Sequence, residues 1–421
     1  MNKKRSVLVV LLIAVMMVVS SCGGGSDQKE SSEKETKSKA VKVSILCAGD
    51  VMAHVPNISS ALQSDGSYDF NDNYEYVEDY ISKADLALCN METTFKGGTP
   101  SGYPLFNAPD SLAEAVKNAG FDVAFTSNNH MMDTGYDGMQ RTLKILRDEG
   151  MKTVGSRLEG EKKRYAVVKV KGVKIGLVAY TYETTQTAGD TVSINGNNIS
   201  DESARLINSF NYHDLESEDY DRIEEDIDGC REDGADVVVC YLHWGNEYEQ
   251  SPNDDQEEMA QALANMGADV IFASHPHVLQ EIDVLTSEKG GQKVPVFYSL
   301  GNYISNQRTE TLSNKYTENG AMATVTLTVR TDNGKIQSET VRIQPTWVDK
   351  YTSGSGGLEY RIIPLDKSLS SNKGLASSGH FSRAQAAKEY TEELFGDYIE
   401  GKTIFTSGGN SNGRSMDEEK S

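Results

Sequence analysis

Apolar, β-branched runs recur from residue 41 to about residue 300, and most of them are continuous rather than alternating with polar residues. Examples are VKVSILCAG, FDVAFTS and ADVVVCYL, and such continuous runs are typical of strands covered on both faces. Helical patterns such as GMQRTLKILRDEG and DQEEMAQALANMG lie between them. Strand alternating with helix predicts βαβ units, so we expect an α/β domain over residues 41–310.

The pattern changes after residue 316. In AMATVTLTVRTDNGKIQSETVRIQ, threonine and valine alternate on either side of a DNG turn, which predicts an antiparallel hairpin. We assign it to an extension over residues 311–365 that packs on the core. Residues 366–381 and 402–421 are rich in serine, glycine and asparagine. We therefore expect residues 366–421 to form a largely flexible tail with one amphipathic helix, SRAQAAKEYTEELFGDYI.

The first 21 residues combine the basic segment MNKKR with an apolar run that is short for a membrane span. The small residues VSS then lead to Cys22. This order resembles a bacterial lipoprotein signal, in which residues 1–21 are removed and Cys22 is lipidated. The alternative is an uncleaved anchor helix. Both place the folded part at the extracytoplasmic face of the cell membrane, with residues 22–40 as a flexible polar tether.

The chain is strongly acidic. It carries 63 aspartates and glutamates against 41 lysines and arginines, for a formal net charge of −22. Such a charge argues against nucleic acid and against an anionic lipid surface as direct partners. It also means that a polyanionic substrate would need a cation between it and the protein.

Polar side chains suited to metal binding or acid–base chemistry follow six of the predicted strands. They are Asp50 with His54, Asn90 with Glu92, Asn128, Asn129 and His130 with Asp133, His243 with Glu247, His275 with His277, and Asn302. Open α/β sheets place their sites at the carboxyl ends of strands. Imidazole nitrogens and carboxylate oxygens are ligands for Mn, Zn and Fe. The sequence therefore predicts one convergent site for one or two of these divalent ions.

The segment SHPH carries two of the seven histidines. In an extended chain, residues i and i+2 project from the same face, so His275 and His277 can reach one centre. Pro276 disfavours a helical conformation at His275 and biases it toward an extended backbone. We therefore expect an extended loop that presents both rings together.

Six motifs, in this order, resemble the CapA family of bacterial capsule proteins, also called the poly-γ-glutamate synthesis family. They are GDVM, NMETTF, TSNNHMMDTG, LHWGNEY, SHPHV and SLGNY. The resemblance implies a calcineurin-like, metallophosphatase-like sandwich of two mixed β-sheets flanked by helices. It also implies a surface role in making, exporting or anchoring an anionic capsule polymer such as poly-γ-glutamate, with that polymer or capsule-synthesis membrane proteins as partners.

The same resemblance assigns roles to the first two motifs, where this chain departs from the metallophosphatase pattern. Asp50 matches the first metal-binding aspartate and is also a candidate catalytic residue. Met52 stands where a ligand histidine is usual, and His54 could substitute for it. Glu92 or Asn90 falls where a bridging aspartate would stand.

The later motifs match the pattern more closely. Asn129 matches a metal-binding asparagine, and His130 matches the histidine that protonates the leaving group. The remaining histidine ligands match His243, His275 and His277. The altered first motif puts ordinary phosphoesterase activity in doubt, while the ligand set still indicates metal binding.

Three functional interpretations remain open at this point. The chain is a capsule-assembly protein whose metal site binds or processes an anionic polymer, or it is an extracytoplasmic hydrolase unrelated to capsule. Such a hydrolase would cut phosphoesters or amides with a metal-activated hydroxide. A degenerate fold that keeps metal only for structure is the third interpretation. Retention of His130 argues against it, because the matched role of His130 is proton transfer rather than ligation.

Replacing Cys22 by serine tests the membrane anchor. A diacylglyceryl group brings two acyl chains, which give stable attachment where a single chain is marginal. We therefore expect Cys22→Ser to be released from the membrane fraction or to stay unprocessed, as measured by fractionation and by the mass of the chain. Unchanged size together with full membrane retention would support the uncleaved helix.

Overall fold

The computed structural model describes residues 39–184, 192–211, 217–354 and 356–407. The predicted leader, the candidate lipidation site Cys22 and most of the predicted tether lie outside these residues, as does the end of the tail from residue 408. Among the described residues, no helix is both long and apolar enough to cross a membrane.

The described residues form eighteen strands. They are β1 (Ala40–Val51), β2 (Leu86–Met91), β3 (Val123–Phe125), β4 (Lys152–Val154), β5 (Ala166–Val170), β6 (Val173–Tyr182), β7 (Ser193–Ile194), β8 (Asn197–Asn198), β9 (Ser209–Phe210), β10 (Val237–His243), β11 (Val270–Ser274), β12 (Ile282–Thr286), β13 (Lys293–Phe297), β14 (Asn302–Ile304), β15 (Asn319–Arg330), β16 (Ile336–Thr352), β17 (Leu358–Pro364) and β18 (Lys402–Thr406).

Ten α-helices lie in the same part of the chain. They are α1 (Val55–Ala61), α2 (Glu78–Ile81), α3 (Ser111–Asn118), α4 (Gly135–Asp148), α5 (Asp201–Ala204), α6 (Ser217–Glu232), α7 (Asp254–Met266), α8 (Thr309–Leu312), α9 (Lys373–Ser378) and α10 (Phe381–Phe395). Short 3-10 helices cover Asn71–Tyr74, Tyr316–Glu318, Leu369–Ser371 and Gly396–Tyr398.

Most of the strands belong to two mixed sheets. The first has the order β17-β16-β15-β1-β2-β3-β4, with β14 beside β1 and β18 beside β16. The second has the order β12-β13-β11-β10-β6-β5, with β9 beside β6. Strands β1 to β4 run parallel in the first sheet, as do β6, β10, β11 and β13 in the second. The predicted sandwich of two mixed β-sheets flanked by helices is confirmed.

Apolar side chains fill the space between the two sheets and also cover their outer faces. Ile45 and Phe125 of the first sheet pack with Tyr241 of the second, and the rings of Phe125 and Tyr241 stack with centroids 4.3 Å apart. The alternate residues Leu46 and Ala48 pack on the opposite face with helices such as α3. Burial on both faces is the reason that the strands appear as continuous apolar runs. Each large apolar side chain buried in this way contributes roughly 1.5–3 kcal/mol.

The predicted hairpin is formed by β15 and β16, which pair antiparallel across the turn at residues 331–335. It is a part of the first sheet rather than an extension packed on it. Strand β15 pairs antiparallel with β1 from Ala40↔Arg330 to Ala48↔Met322. The hairpin therefore lies beside the strand that delivers Asp50.

The segment after residue 366 is more ordered than the composition led us to expect. It contains α9 and α10, and β18 pairs antiparallel with β16. Two buried leucines explain why the first part of this segment is ordered, because Leu369 and Leu375 pack against Trp347. Asn372 caps α9 by accepting a hydrogen bond of 3.1 Å from the backbone nitrogen of Leu375.

A buried carboxyl group in β16 generates a pH prediction. Glu339 is 1% exposed, and burial, followed by the charge of Asp269, raises its pKa to about 9. The ordinary value in an unfolded chain is about 4.3. Folding therefore keeps Glu339 protonated, and this contribution to stability is full below pH ~4.3 and is lost as the pH rises toward about 9.

We expect Glu339→Gln to be more stable than wild type at pH 8 by roughly 1–3 kcal/mol, with the difference shrinking toward pH 4.5. Urea unfolding across this pH range measures it. The exposed residue Glu114, changed to glutamine, is the matched control and should leave the pH dependence unchanged. A stability difference for Glu339→Gln that does not vary with pH would contradict the assignment.

Candidate metal centre

The carboxyl ends of four strands, two from each sheet, meet at one edge of the sandwich. Strands β1 and β2 of the first sheet deliver Asp50 and Glu92, and strands β10 and β11 of the second sheet deliver His243, His275 and His277. All five side chains are buried, with relative exposures between 0% and 3%. The predicted convergence of strand ends on one place is therefore present in the structure.

A bulge in β1 sets the position of Asp50. The pairing register between β1 and β2 shifts between Ala48 and Asp50, and bulges of this kind redirect a side chain. The intervening Gly49 passes so close to Gly301 that a Cβ there would lie 1.9 Å from the carbonyl oxygen of Gly301. The backbone nitrogen of Asp50 donates to the same oxygen at 3.0 Å. Only glycine fits at position 49.

Asn90 lies between the two carboxylates and joins them. Its Nδ2 donates to Asp50 Oδ1 at 2.8 Å and to Glu92 Oε2 at 3.2 Å, while its Oδ1 accepts from Asn128 Nδ2 at 3.1 Å. Among the described residues, the other two carboxylate oxygens, Asp50 Oδ2 and Glu92 Oε1, have no hydrogen-bond partner. A buried carboxylate oxygen without a partner is strongly unfavourable, so these two atoms fit a bound cation.

Two sets of potential ligands share one carboxylate. In Glu92, His275 and His277, one ligand atom from each residue lies within 4.8 Å of the others, and the same holds for Asp50, Glu92 and His243. A carboxylate common to two sets of ligands fits a bridge between two ions. The mixture of imidazole and carboxylate suits Mn, Zn or Fe. The residues present therefore fit one or two divalent cations.

The electrostatics of the cluster favour a bound cation. Burial, followed by the negative charge of Asp50, raises the pKa of Glu92 well above its usual range. Burial, followed by the neighbouring imidazoles, lowers the pKa of His243 and of His275 well below the usual range. The two histidines are thus held in the neutral form that coordinates metal. A divalent ion would offset the repulsion between the carboxylates.

The loop that carries His275 and His277 is not extended, and the expected backbone conformation is wrong. The φ angles are +106° for His275 and +59° for His277. Pro276 disfavours the right-handed helical conformation at the residue before it, but it does not require the extended one. Such left-handed backbones cost about 1–3 kcal/mol each. The two rings nevertheless converge, with centroids 5.9 Å apart.

Asn302 orients His277. Its Oδ1 accepts from His277 Nδ1 at 3.1 Å, and its own Nδ2 donates to Gln307 Oε1 and to the carbonyl oxygen of Thr317. The other ring nitrogen, Nε2, then faces Glu92 Oε1 and Glu247 Oε1, each 3.9 Å away. Partners of this kind fix the tautomer and direction of a ligand histidine. The side chain of Glu247 is 44% exposed.

Asn129 and His130 are neighbours in the chain but contact different groups. Asn129 Oδ1 accepts from His243 Nε2 at 2.9 Å, which places Asn129 in the cluster. His130 Nδ1 instead lies 2.8 Å from Asp133 Oδ2, and its ring packs edge-to-face against Phe106 with centroids 4.7 Å apart. Asn129 can therefore contact a bound ion while His130 is held in another direction.

His54 belongs to neither set of ligands. Its Nδ1 accepts from the backbone nitrogen of Asn306 at 3.2 Å, and its ring packs edge-to-face on Phe106. Burial, followed by the charge of His277, lowers its pKa to about 3. That His54 replaces the ligand missing at Met52 stays a prediction.

Sequence reasoning missed one side chain of the site, Tyr182. Tyr182 stacks on His243 and lies tilted against His275, with centroid distances of 6.4 and 4.7 Å. No pattern distinguishes it, because an aromatic residue at the end of an apolar strand is typical of the core. Asp133, the partner of His130, lies three residues after it in NNHMMD, and the sequence pattern predicts it as a polar residue of the same strand end.

Comparison with known proteins identifies the family to which this chain belongs. The family model described as bacterial capsule synthesis protein PGA_cap matches residues 44–307, which is more than half of the chain. The chain belongs to this family, as its motifs indicated.

Two curated relatives are similar over much of the same region. The capsule biosynthesis protein CapA of Bacillus anthracis is 29% identical over 278 residues, covering 63% of this chain and 60% of the relative. The PGA biosynthesis protein CapA of Bacillus subtilis (strain 168) is 28% identical over 244 residues, covering 56% of this chain and 57% of the relative. The chain thus spans less than two thirds of the length of each relative.

Solved structures give weaker likenesses. A novel phosphatase from Mycoplasma pneumoniae has a TM-score of 0.40 and 14% identity, covering 72% of this chain and 94% of its own. The sulfate thiohydrolase SoxB of Thermus thermophilus has a TM-score of 0.36 and 13% identity, covering 84% and 60%. With TM-scores below 0.5, these likenesses support no argument about the chemistry of the site.

The shared carboxylate generates a prediction about metal content. After loading with Mn, Zn or Fe, the wild-type protein is expected to hold one or two ions per chain. The double variant His275→Ala, His277→Ala should lose at least one of them, and Glu92→Gln should lose every ion that the two sets of ligands hold. Elemental analysis of the purified proteins measures this.

Gln250 is an exposed residue of the neighbouring loop, and Gln250→Ala serves as the control with unchanged metal content. Wild-type protein that stays metal-free after reloading would show that the cluster is not a metal centre.

Proposed function

We propose that this member of the capsule synthesis family is a lipid-anchored protein with a divalent-metal centre that handles an anionic capsule polymer. The polymer is of the poly-γ-glutamate type, and the role lies in its synthesis, export or anchoring. Family membership and the names of the two Bacillus relatives support the link to capsule. The observation that supports the metal-dependent part is a pair of buried carboxylate oxygens, Asp50 Oδ2 and Glu92 Oε1, that have no hydrogen-bond partner among the described residues.

The residues that would hold the ions are Asp50, Glu92, His243, His275 and His277. With a divalent ion held there, these residues would gain Lewis-acid activation of a substrate and of water near neutral pH. Positive charge at the metal centre would also reduce the electrostatic repulsion between an anionic polymer and this acidic chain. A polyanion is repelled by a chain of net charge −22, and a cationic centre gives it a local point of attraction.

His130 is the residue that would move a proton in this proposal. Its Nδ1 donates to Asp133 Oδ2 at 2.8 Å, and the same oxygen accepts from the backbone nitrogen of Phe106 at 2.6 Å. This holds the imidazole in one tautomer and leaves Nε2 available to accept or donate a proton. A histidine positioned in this way typically contributes about 100- to 10,000-fold in rate.

The second candidate is a metal-dependent extracytoplasmic hydrolase of phosphoesters or amides that has no role in capsule formation. The pairing of His130 with Asp133 favours a hydrolase of either kind over a binding scaffold, because a scaffold has no need of an oriented acid–base histidine. The two candidates differ in substrate rather than in mechanism, so a test in cells separates them.

We expect His130→Ala to keep its metal and its thermal stability but to fail to restore polymer production in a strain that lacks the protein. A matched control is available, because His380 also pairs with a buried aspartate, Asp349, at 2.7 Å and lies outside the cluster. His380→Ala should restore polymer production. Polymer yield, metal content and thermal unfolding are measured for each variant.

Three other results would each contradict a different part of the proposed function. Full complementation by His130→Ala would show that the protein acts as a binding scaffold. Loss of metal in that variant would show that His130 is a ligand. Normal polymer production in the deletion strain itself, with hydrolysis of another substrate by the purified protein, would support the second candidate.

A further inference from the structure

A cavity of about 550 Å³ lies beside the edge strands of the two sheets, β4 and β5. Of its fourteen lining residues, six are lysine or arginine and one is glutamate. The chain as a whole has the opposite balance, with 41 basic and 63 acidic residues. The lining of the cavity therefore carries a net positive charge, whereas the chain as a whole is negatively charged. The six cationic residues are Arg147, Lys152, Arg157, Lys162, Lys163 and Arg164.

Part of this positive charge is already balanced by ion pairs. Arg147 pairs with Glu161 at 2.7 Å, and Arg164 pairs with Asp226 at 3.0 Å. Lys163 pairs with Asp233. These pairs hold the walls of the cavity in place.

Two lysines of the cavity are not balanced in this way. Lys152, in β4, and Lys162 are both exposed, and within the described ranges neither forms an ion pair. Lysine is a flexible point charge that adapts to an incoming anion. These two side chains are therefore free to contact a ligand.

Arg157 provides a second, independent observation. It is 7% exposed, and its guanidinium donates to Asn208 Oδ1 and to the carbonyl oxygen of Arg205, which are both neutral acceptors. In the described part of the chain, no carboxylate accepts a hydrogen bond from it. Burial, followed by the charge of Arg164, lowers its pKa. A buried guanidinium without a carboxylate partner is costly, and an anion in the cavity would offset that cost.

We propose that this cavity binds carboxylates of an anionic polymer, as a site separate from the metal centre. The inference rests on the proposed function, which supplies a polymer that carries a carboxylate on every unit. Hydrogen bonds between charged groups are about twice as strong as neutral ones. The three cations Lys152, Lys162 and Arg157 give successive carboxylates different points of attachment.

The cavity adjoins the segment that carries the metal centre. Its wall includes Gly155, where a Cβ would lie 2.2 Å from Ser127 Oγ. Ser127 directly precedes Asn128 and Asn129, which both belong to the hydrogen-bond network of the cluster. The wall of the cavity therefore packs, through Gly155, against the segment that leads to Asn129.

Charge reversal of the two free lysines tests this site in the full-length protein. The probe is a fluorescently labelled γ-linked glutamate oligomer, and binding is followed by anisotropy at low and at moderate salt. We expect Lys152→Glu, Lys162→Glu to bind about tenfold more weakly than wild type at low salt. Salt screens such contacts, so the difference should narrow as ionic strength rises.

The matched control is Lys367→Glu, Lys373→Glu, which changes two exposed lysines outside the cavity and makes the same change in net charge. It should bind within about twofold of wild type. Equal weakening in both double variants would show an effect of net charge alone and would overturn the site. Tighter binding of polyphosphate than of the glutamate oligomer would overturn the assignment to carboxylates.

These outcomes separate the cavity from the proposed function. Wild-type binding that survives Lys152→Glu, Lys162→Glu unchanged contradicts the cavity and leaves the proposed function intact. No binding of the glutamate oligomer by wild type, with or without metal, contradicts both. Weakened binding by the cavity variant, combined with full complementation by His130→Ala, supports the cavity and contradicts turnover at the metal centre.

Discussion

Two carboxylates lie side by side in the protein interior, and the repulsion between Asp50 and Glu92 is the constraint on which the site depends. Both side chains are 0% exposed, and each keeps one oxygen without a hydrogen-bond partner in the described residues. Burial and the negative charge of Asp50 both act against the ionisation of Glu92. Asn90 offsets a part of this with two hydrogen bonds. A cation bound among the neutral histidines would offset the remaining repulsion between the two carboxylates. The proposed metal would therefore stabilise the fold at this place.

The backbone around the cluster departs from regular geometry in order to bring the ligands together. Gly49 allows a bulge in β1 to lie against Gly301, and the residues His275 and His277 both take left-handed backbones. A neighbouring loop stabilises the left-handed segment, because the backbone nitrogen of Tyr248 donates to the carbonyl oxygen of Pro276 at 2.8 Å. The packed core between the two sheets supplies the stability that sustains such local strain.

The sequence predicts the sandwich well because its signals are local, whereas the partners within the site depend on distant parts of the chain. Continuous apolar runs indicate strands buried on both faces, and a polar residue after each run indicates the edge that carries the site. The close approach of Gly49 to Gly301 and the hydrogen bond from His277 to Asn302 join segments far apart in sequence. The serine-rich segment around Leu375 was expected to be flexible, but its leucines find a partner in Trp347.

Anomalous X-ray diffraction from crystals loaded with Mn or Zn shows directly whether the cluster binds metal. We predict one or two anomalous peaks among Asp50, Glu92, His243, His275 and His277, at coordination distances of about 2.0–2.3 Å from their oxygens and nitrogens. With two peaks, a carboxylate oxygen of Glu92 should lie between them. Peaks elsewhere on the protein, or an ordered cluster without any peak in fully loaded crystals, would contradict the account.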